Sequence, residues 1–107
     1  VTQPIYDAEA ADAMARATHA MGIPVIMGIL PLRTARHAEF LHQRVAGISV
    51  PGQLRKLMHQ ADDTIKTGNR NAREMLKIAR ERFAGACVMP PFDHYEVLED
   101  ILKFDTT

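Results

Sequence analysis

Residues 24–30 (PVIMGIL) carry no polar side chain at any position. A run that is apolar throughout, rather than at alternate positions, predicts a strand covered on both faces. Such strands belong to parallel sheets sandwiched by helices. Pro31 ends the run. Residues 86–89 (ACVM) read as a second short strand of this kind. Residues 1–6 (VTQPIY) read as the end of another, with β-branched and aromatic side chains. Pro4 has no N–H to give to a ladder, so pairing is expected to fade there.

The intervening segments have helical spacing and helical punctuation. Asp7 stands where an N-cap should be, Glu9 falls in the following first turn, and Gly22 suits the position just past the end. Ala11, Met14, Thr18 and Met21 recur at the right interval between them. Thr34 predicts a second cap, for a helix to about Val45 with Ala38, Leu41 and Val45 on one face and Gly47 as its stop. Pro51 suits the first position of a third helix, with Leu54, Leu57 and Met58 inward. Asp62, Asp63 and Thr64 suggest a break, after which a longer helix is expected from about Asn69 to Phe83. Its apolar stripe is Ala72, Met75, Leu76, Ala79 and Phe83. After the stiff Pro90, Pro91, Phe92 connection, Asp93 and Glu96 have capping-box spacing, and Val97, Leu98, Ile101 and Leu102 face inward.

The expected order is β-α-β-α-α-β-α, an α/β chain with parallel strands and right-handed crossovers. Chemistry in such sheets collects at the carboxyl ends of the strands, here residues 3–6, 30–33 and 90–94. Three strands leave two open edges. Either the chain pairs with a copy of itself as a homo-oligomer, or the rest of a barrel is missing. The first residue, Val1, already lies in a strand, which suggests a piece of a longer protein.

Composition removes several function classes. Of 107 residues, 47% are hydrophobic and 24% charged, the balance of a globular domain. Thirteen Lys and Arg cancel thirteen Asp and Glu, so no net charge draws the chain to nucleic acid or an anionic membrane. The single cysteine, Cys87, excludes an internal disulfide and a multi-cysteine zinc site. No apolar run is long enough to span a bilayer and no secretory leader is expected, so a reduced, cytoplasmic setting is the default.

Few side chains invite a chemical reading. Among the histidines, His37 and His42 diverge by about 140° on a helix, so no metal site within one segment is expected. His37 and His94 stand out because each follows the carboxyl end of a strand. Gln3 offers donors and an acceptor together, which suits the edge of a heterocycle and equally suits nearby backbone groups. Lys66, Arg70, Arg73, Lys77 and Arg80 flank the long helix, but Glu74 and Glu81 interrupt them. A solvated face explains them better than a phosphate-binding one. Cys87, in an apolar strand without basic neighbours in sequence, is expected to be buried and inert.

Taken together, residues 1–7 (VTQPIYD), 28–40 (GILPLRTARHAEF), 48–51 (ISVP) and 89–92 (MPPF), with Tyr95 and Glu96, resemble the methylenetetrahydrofolate reductase family. The version looks most like the reductase half of bifunctional homocysteine S-methyltransferase/reductase proteins. The resemblance spans nearly the whole chain and implies that residues 1–107 are the last three βα units of a TIM (β/α)8 barrel. In that family FAD, reduced by NAD(P)H or another donor, reduces 5,10-methylenetetrahydrofolate to 5-methyltetrahydrofolate. That is a reaction of one-carbon metabolism and methionine biosynthesis. Gln3 matches the glutamine that hydrogen-bonds the folate pterin. His37 falls where some relatives place a glutamine near the folate, and Leu41 where some place an aromatic residue. His94 stands where relatives can carry an arginine, and it lacks that residue's permanent charge and fork. The flavin-binding and acid residues of the family belong to earlier strands, so the missing N-terminal part of the barrel is an implied partner. This chain alone is expected to be inactive. Two other readings remain at this stage: a non-catalytic module that self-associates, and a flavin-free methyltransferase linked to tetrahydrofolate.

Overall fold

The computed structural model describes residues 1–89 and 101. Their elements are α1 (Ala8–Ala20), β1 (Ile26–Ile29), α2 (Ala35–Arg44), α3 (Gly52–Gln60), α4 (Thr64–Arg82) and β2 (Gly85–Val88). The strands pair in parallel, with Ile26 opposite Gly85 and Ile29 opposite Val88. Backbone bonds extend the ladder at both ends, from Ala84 N–H to the Val25 carbonyl (2.9 Å) and from Met89 N–H to the Ile29 carbonyl (2.8 Å). The N-terminal segment lies along the other edge of β1, also in parallel, through a single bridge between Pro4 and Gly28.

Pairing does not fade at Pro4, as its missing N–H led us to expect. A parallel bridge draws its donor from the next residue, and Ile5 N–H reaches the Gly28 carbonyl at 3.3 Å. Thr2 holds the other side: its N–H reaches Ile26 O at 2.8 Å and its hydroxyl accepts from Gly28 N–H at 2.9 Å. The segment is therefore shorter than a full strand yet firmly in register.

The caps follow the sequence. Asp7 accepts from Ala10 N–H at 2.7 Å, Thr34 from His37 N–H at 2.9 Å and Asp63 from Lys66 N–H at 3.1 Å. Gly22 takes φ +70 after the Met21 C-cap, the left-handed geometry that ends a helix. Two boundaries move. Pro51 is the cap before α3 rather than its first residue. Helix α4 begins at Thr64, not near Asn69, because Asp63 caps it there.

Two apolar clusters hold these elements. In the first, Ile5, Met27 and Ile29 from the sheet meet Ala11 of α1 and Ala72, Met75, Leu76 and Ala79 of α4; Ile101 joins them. In the second, Tyr6 and Leu32 at the strand ends meet Ala38 and Leu41 of α2 and Leu54 and Met58 of α3. Helices thus cover one face of the sheet. Ile26 on the other face is 40% exposed, which corrects the expectation of a strand covered on both sides. Cys87 is exposed on that same face, not buried, because Ala86 and Val88 point the opposite way into the first cluster. Met14 and Met21 on α1 are exposed, since Ala11 takes the buried position. Leu57 is exposed rather than inward; it lines a cleft of about 270 Å³ with Arg70 and Glu74 of α4. The helix expected after Asp93 lies outside the described residues, Ile101 excepted.

Candidate functional site

The parallel arrangement brings the carboxyl ends of the N-terminal segment and of β1 to one end of the sheet. Gln3 is exposed, one residue before Pro4 and so level with Met27 of β1. Its side chain runs beside the loop after α2, where a β-carbon built on Gly47 would stand 3.7 Å from Gln3 Cγ. Thr2 and Pro4 on either side of Gln3 are tied to β1, so its backbone is fixed.

Tyr6 joins this segment to the rest of the site. Its hydroxyl donates to the Leu30 carbonyl at 2.7 Å, and its own carbonyl accepts from Asn71 Nδ2 at 3.0 Å. Burial pushes the Tyr6 hydroxyl pKa far above its ordinary value. Tyr6 is therefore a neutral donor at the junction of β1, α2 and α4, not an acid for catalysis.

His37 lies in the first turn of α2 and is half-buried. Its Nδ1 accepts from Arg33 N–H at 3.3 Å, which assigns the ring hydrogen to Nε2 in the neutral form. Its pKa is lowered, first by burial and then by the Arg33 charge, so the neutral ring prevails at physiological pH. A neutral imidazole with a donor at Nε2 can hydrogen-bond a carbonyl or a heterocycle nitrogen.

Leu41 is 6% exposed and packs among Tyr6, Ile48 and Val50. Its contribution to this end of the molecule is the wall that holds Tyr6 and the 48–50 segment together; the next residue outward on α2, Phe40, is 57% exposed. His94 lies outside the described residues. Gln3 thus lies beside the loop after α2 and His37 in the first turn of that helix, while Leu41 is buried against Tyr6 and the 48–50 segment.

Arg33 escaped the reading of the sequence. Its Nε is buried and has no hydrogen-bond partner. Only burial reveals such a group; the sequence offers a single arginine after an apolar run. Two of the other described histidines have protein partners. His42 Nδ1 accepts from Val50 N–H at 3.1 Å, His59 Nε2 lies 3.7 Å from Glu39, and His19 is exposed on the last turn of α1.

Among the described residues no group of three or more His, Cys, Asp or Glu side chains could hold a metal ion. No described helix is long and apolar enough to cross a membrane. A flavin pyrophosphate favours free N–H groups at helix starts; among the described helices Asp7, Thr34 and Asp63 cap α1, α2 and α4, and α3 has no side-chain cap. A scan against protein-family models gives no match for this chain, and a search of curated proteins gives none either.

Proposed function

We propose that the chain is the carboxyl-terminal part of a methylenetetrahydrofolate reductase-like barrel, in which it supplies contacts to the folate substrate. The parent reaction is the reduction of 5,10-methylenetetrahydrofolate to 5-methyltetrahydrofolate, with FAD seated on residues outside this chain. One observation carries the reading: Gln3 is exposed next to the bridge by which its segment runs parallel to β1. The order of the extended segments supports it. The N-terminal segment, β1 and β2 are neighbours in chain order, as consecutive staves of a barrel are. Helices cover only the outer face of this sheet and leave Ile26 and Cys87 open, as befits a sheet that curves around an interior.

In this role Gln3 reads the polar edge of the pteridine with its amide oxygen and nitrogen. His37 adds a neutral donor one strand away. Both act by orienting the ring; neither takes part in a proton or hydride transfer. The test is made on the full-length protein. It should purify with a flavin spectrum that a nicotinamide or other donor bleaches and that 5,10-methylenetetrahydrofolate restores. A colourless protein that neither binds nor reduces the folate contradicts the proposal.

A second reading has one observation in its favour. Ile26, Met14 and Met21 are exposed on surfaces that a second copy would cover. A non-catalytic module of this kind gives a stable homo-oligomer without flavin, which light scattering on the isolated chain detects.

A further inference from the structure

We propose that the cleft between α3 and α4 binds a free α-amino acid with an aliphatic side chain. The inference is independent of the folate reading. The cleft holds about 270 Å³, a little under the about 300–1,000 Å³ of pockets for drug-sized ligands, which suits a smaller molecule. Its two walls differ in chemistry because each is one face of a helix. Leu54 and Leu57, one helical turn apart, supply the apolar wall from α3, and Leu57 is 55% exposed, open to a ligand as it stands. Arg70, Asn71 and Glu74, at helical spacing, supply the polar wall from α4.

Arg70 and Glu74 are both exposed, and neither takes part in an ion pair among the described residues, with each other or with a third group. Asn71 is held in place, since its Nδ2 donates to the Tyr6 carbonyl at 3.0 Å; its amide oxygen accepts no bond among the described residues. These groups complement one class of ligand. A zwitterionic head brings a carboxylate for the Arg70 guanidinium and an ammonium for the Glu74 carboxylate and the Asn71 oxygen. An aliphatic side chain covers the leucines and removes their surface from water. A simple carboxylate would meet repulsion from Glu74, and a simple amine from Arg70, so the pair of opposite charges selects a ligand that carries both.

The probe is L-leucine, titrated calorimetrically into the full-length protein. Three truncated forms serve as comparisons: isocaproate, which lacks the ammonium, isoamylamine, which lacks the carboxylate, and glycine, which lacks the side chain. Wild type should bind leucine roughly 10-fold or more tightly than each of the three, the size of one charge-assisted hydrogen bond or one buried aliphatic side chain. Arg70→Met and Glu74→Gln should each weaken leucine by roughly 10-fold. Both side chains are exposed, so both variants should keep the wild-type melting midpoint. Leu57→Ser should bring leucine down to the level of glycine. No leucine binding by wild type, equal binding of isocaproate or isoamylamine, or wild-type affinity in the variants overturns the assignment. A dimer that leucine leaves intact and that Leu57→Ser dissociates would show the cleft filled by a second copy, and overturns it as well.

Discussion

The α-carbon of Gly68, early in α4, packs directly on the carbonyl of Leu32, so closely that a β-carbon built on Gly68 would overlap that oxygen. This contact seats α4 against the carboxyl end of β1, beside Arg33. It explains why a glycine is kept inside a helix, where it ordinarily destabilises.

Gly68→Ala therefore reverses the usual sign. On an exposed helical site the change stabilises by about 1 kcal/mol through propensity. Here backbone meets backbone and neither side can swing away, so a net loss of about 2–4 kcal/mol is expected. Urea denaturation of the variant measures it. An unchanged or raised midpoint would show that α4 does not sit on Leu32.

Tyr6→Phe should lower stability by about 1 kcal/mol at neutral pH, through loss of the bond to the Leu30 carbonyl. The variant also has a pH signature. Burial raises the Tyr6 pKa above its ordinary 10.0, so the folded state favours the neutral hydroxyl. That contribution is complete below the ordinary value and declines as pH rises above about 10. Wild type should lose stability there faster than Tyr6→Phe in denaturation midpoints taken across the alkaline range. Parallel curves would contradict the buried hydroxyl.

Glu39 links α2 to α3, and its pKa is lowered chiefly by the hydrogen bond from Arg55. A depressed carboxylate stabilises above its unfolded value and loses that effect as pH falls through the folded one. Glu39→Gln should be less stable than wild type at pH 7, and the gap should close below about pH 4.5, the unshifted value. The effect is modest, since the carboxylate faces solvent. A gap that is constant with pH would mean that the ion pair with Arg55 contributes nothing.

Local chemistry made the helix starts legible. Asp7 and Thr34 are short side chains with an acceptor, placed before helical spacing, and each caps as expected. The start of α4 was harder, because Thr64, Thr67 and Gly68 are weak helix formers and only the seat on Leu32 explains the glycine. Hydrophobic pattern also could not say which sheet face is covered. Residues 24–30 are apolar throughout, yet while Met27, Ile29 and Leu30 pack on the helical clusters, Ile26 is exposed, as is Cys87 on β2. Of the candidate site, Gln3 and His37 were visible as polar residues at strand ends. Leu41 was legible as part of the apolar face of α2, where it is buried; a ligand contact for it came only from the resemblance. Arg33 had no signal in the sequence, since an unmet donor exists only once its surroundings exclude water.

The most direct test concerns the amide of Gln3. In the full-length protein, binding of 5-methyltetrahydrofolate by Gln3→Ala should be weaker by roughly 10-fold or more, as expected when hydrogen bonds to a polar ring edge are removed. Unchanged folate affinity together with unchanged reduction kinetics would contradict the account.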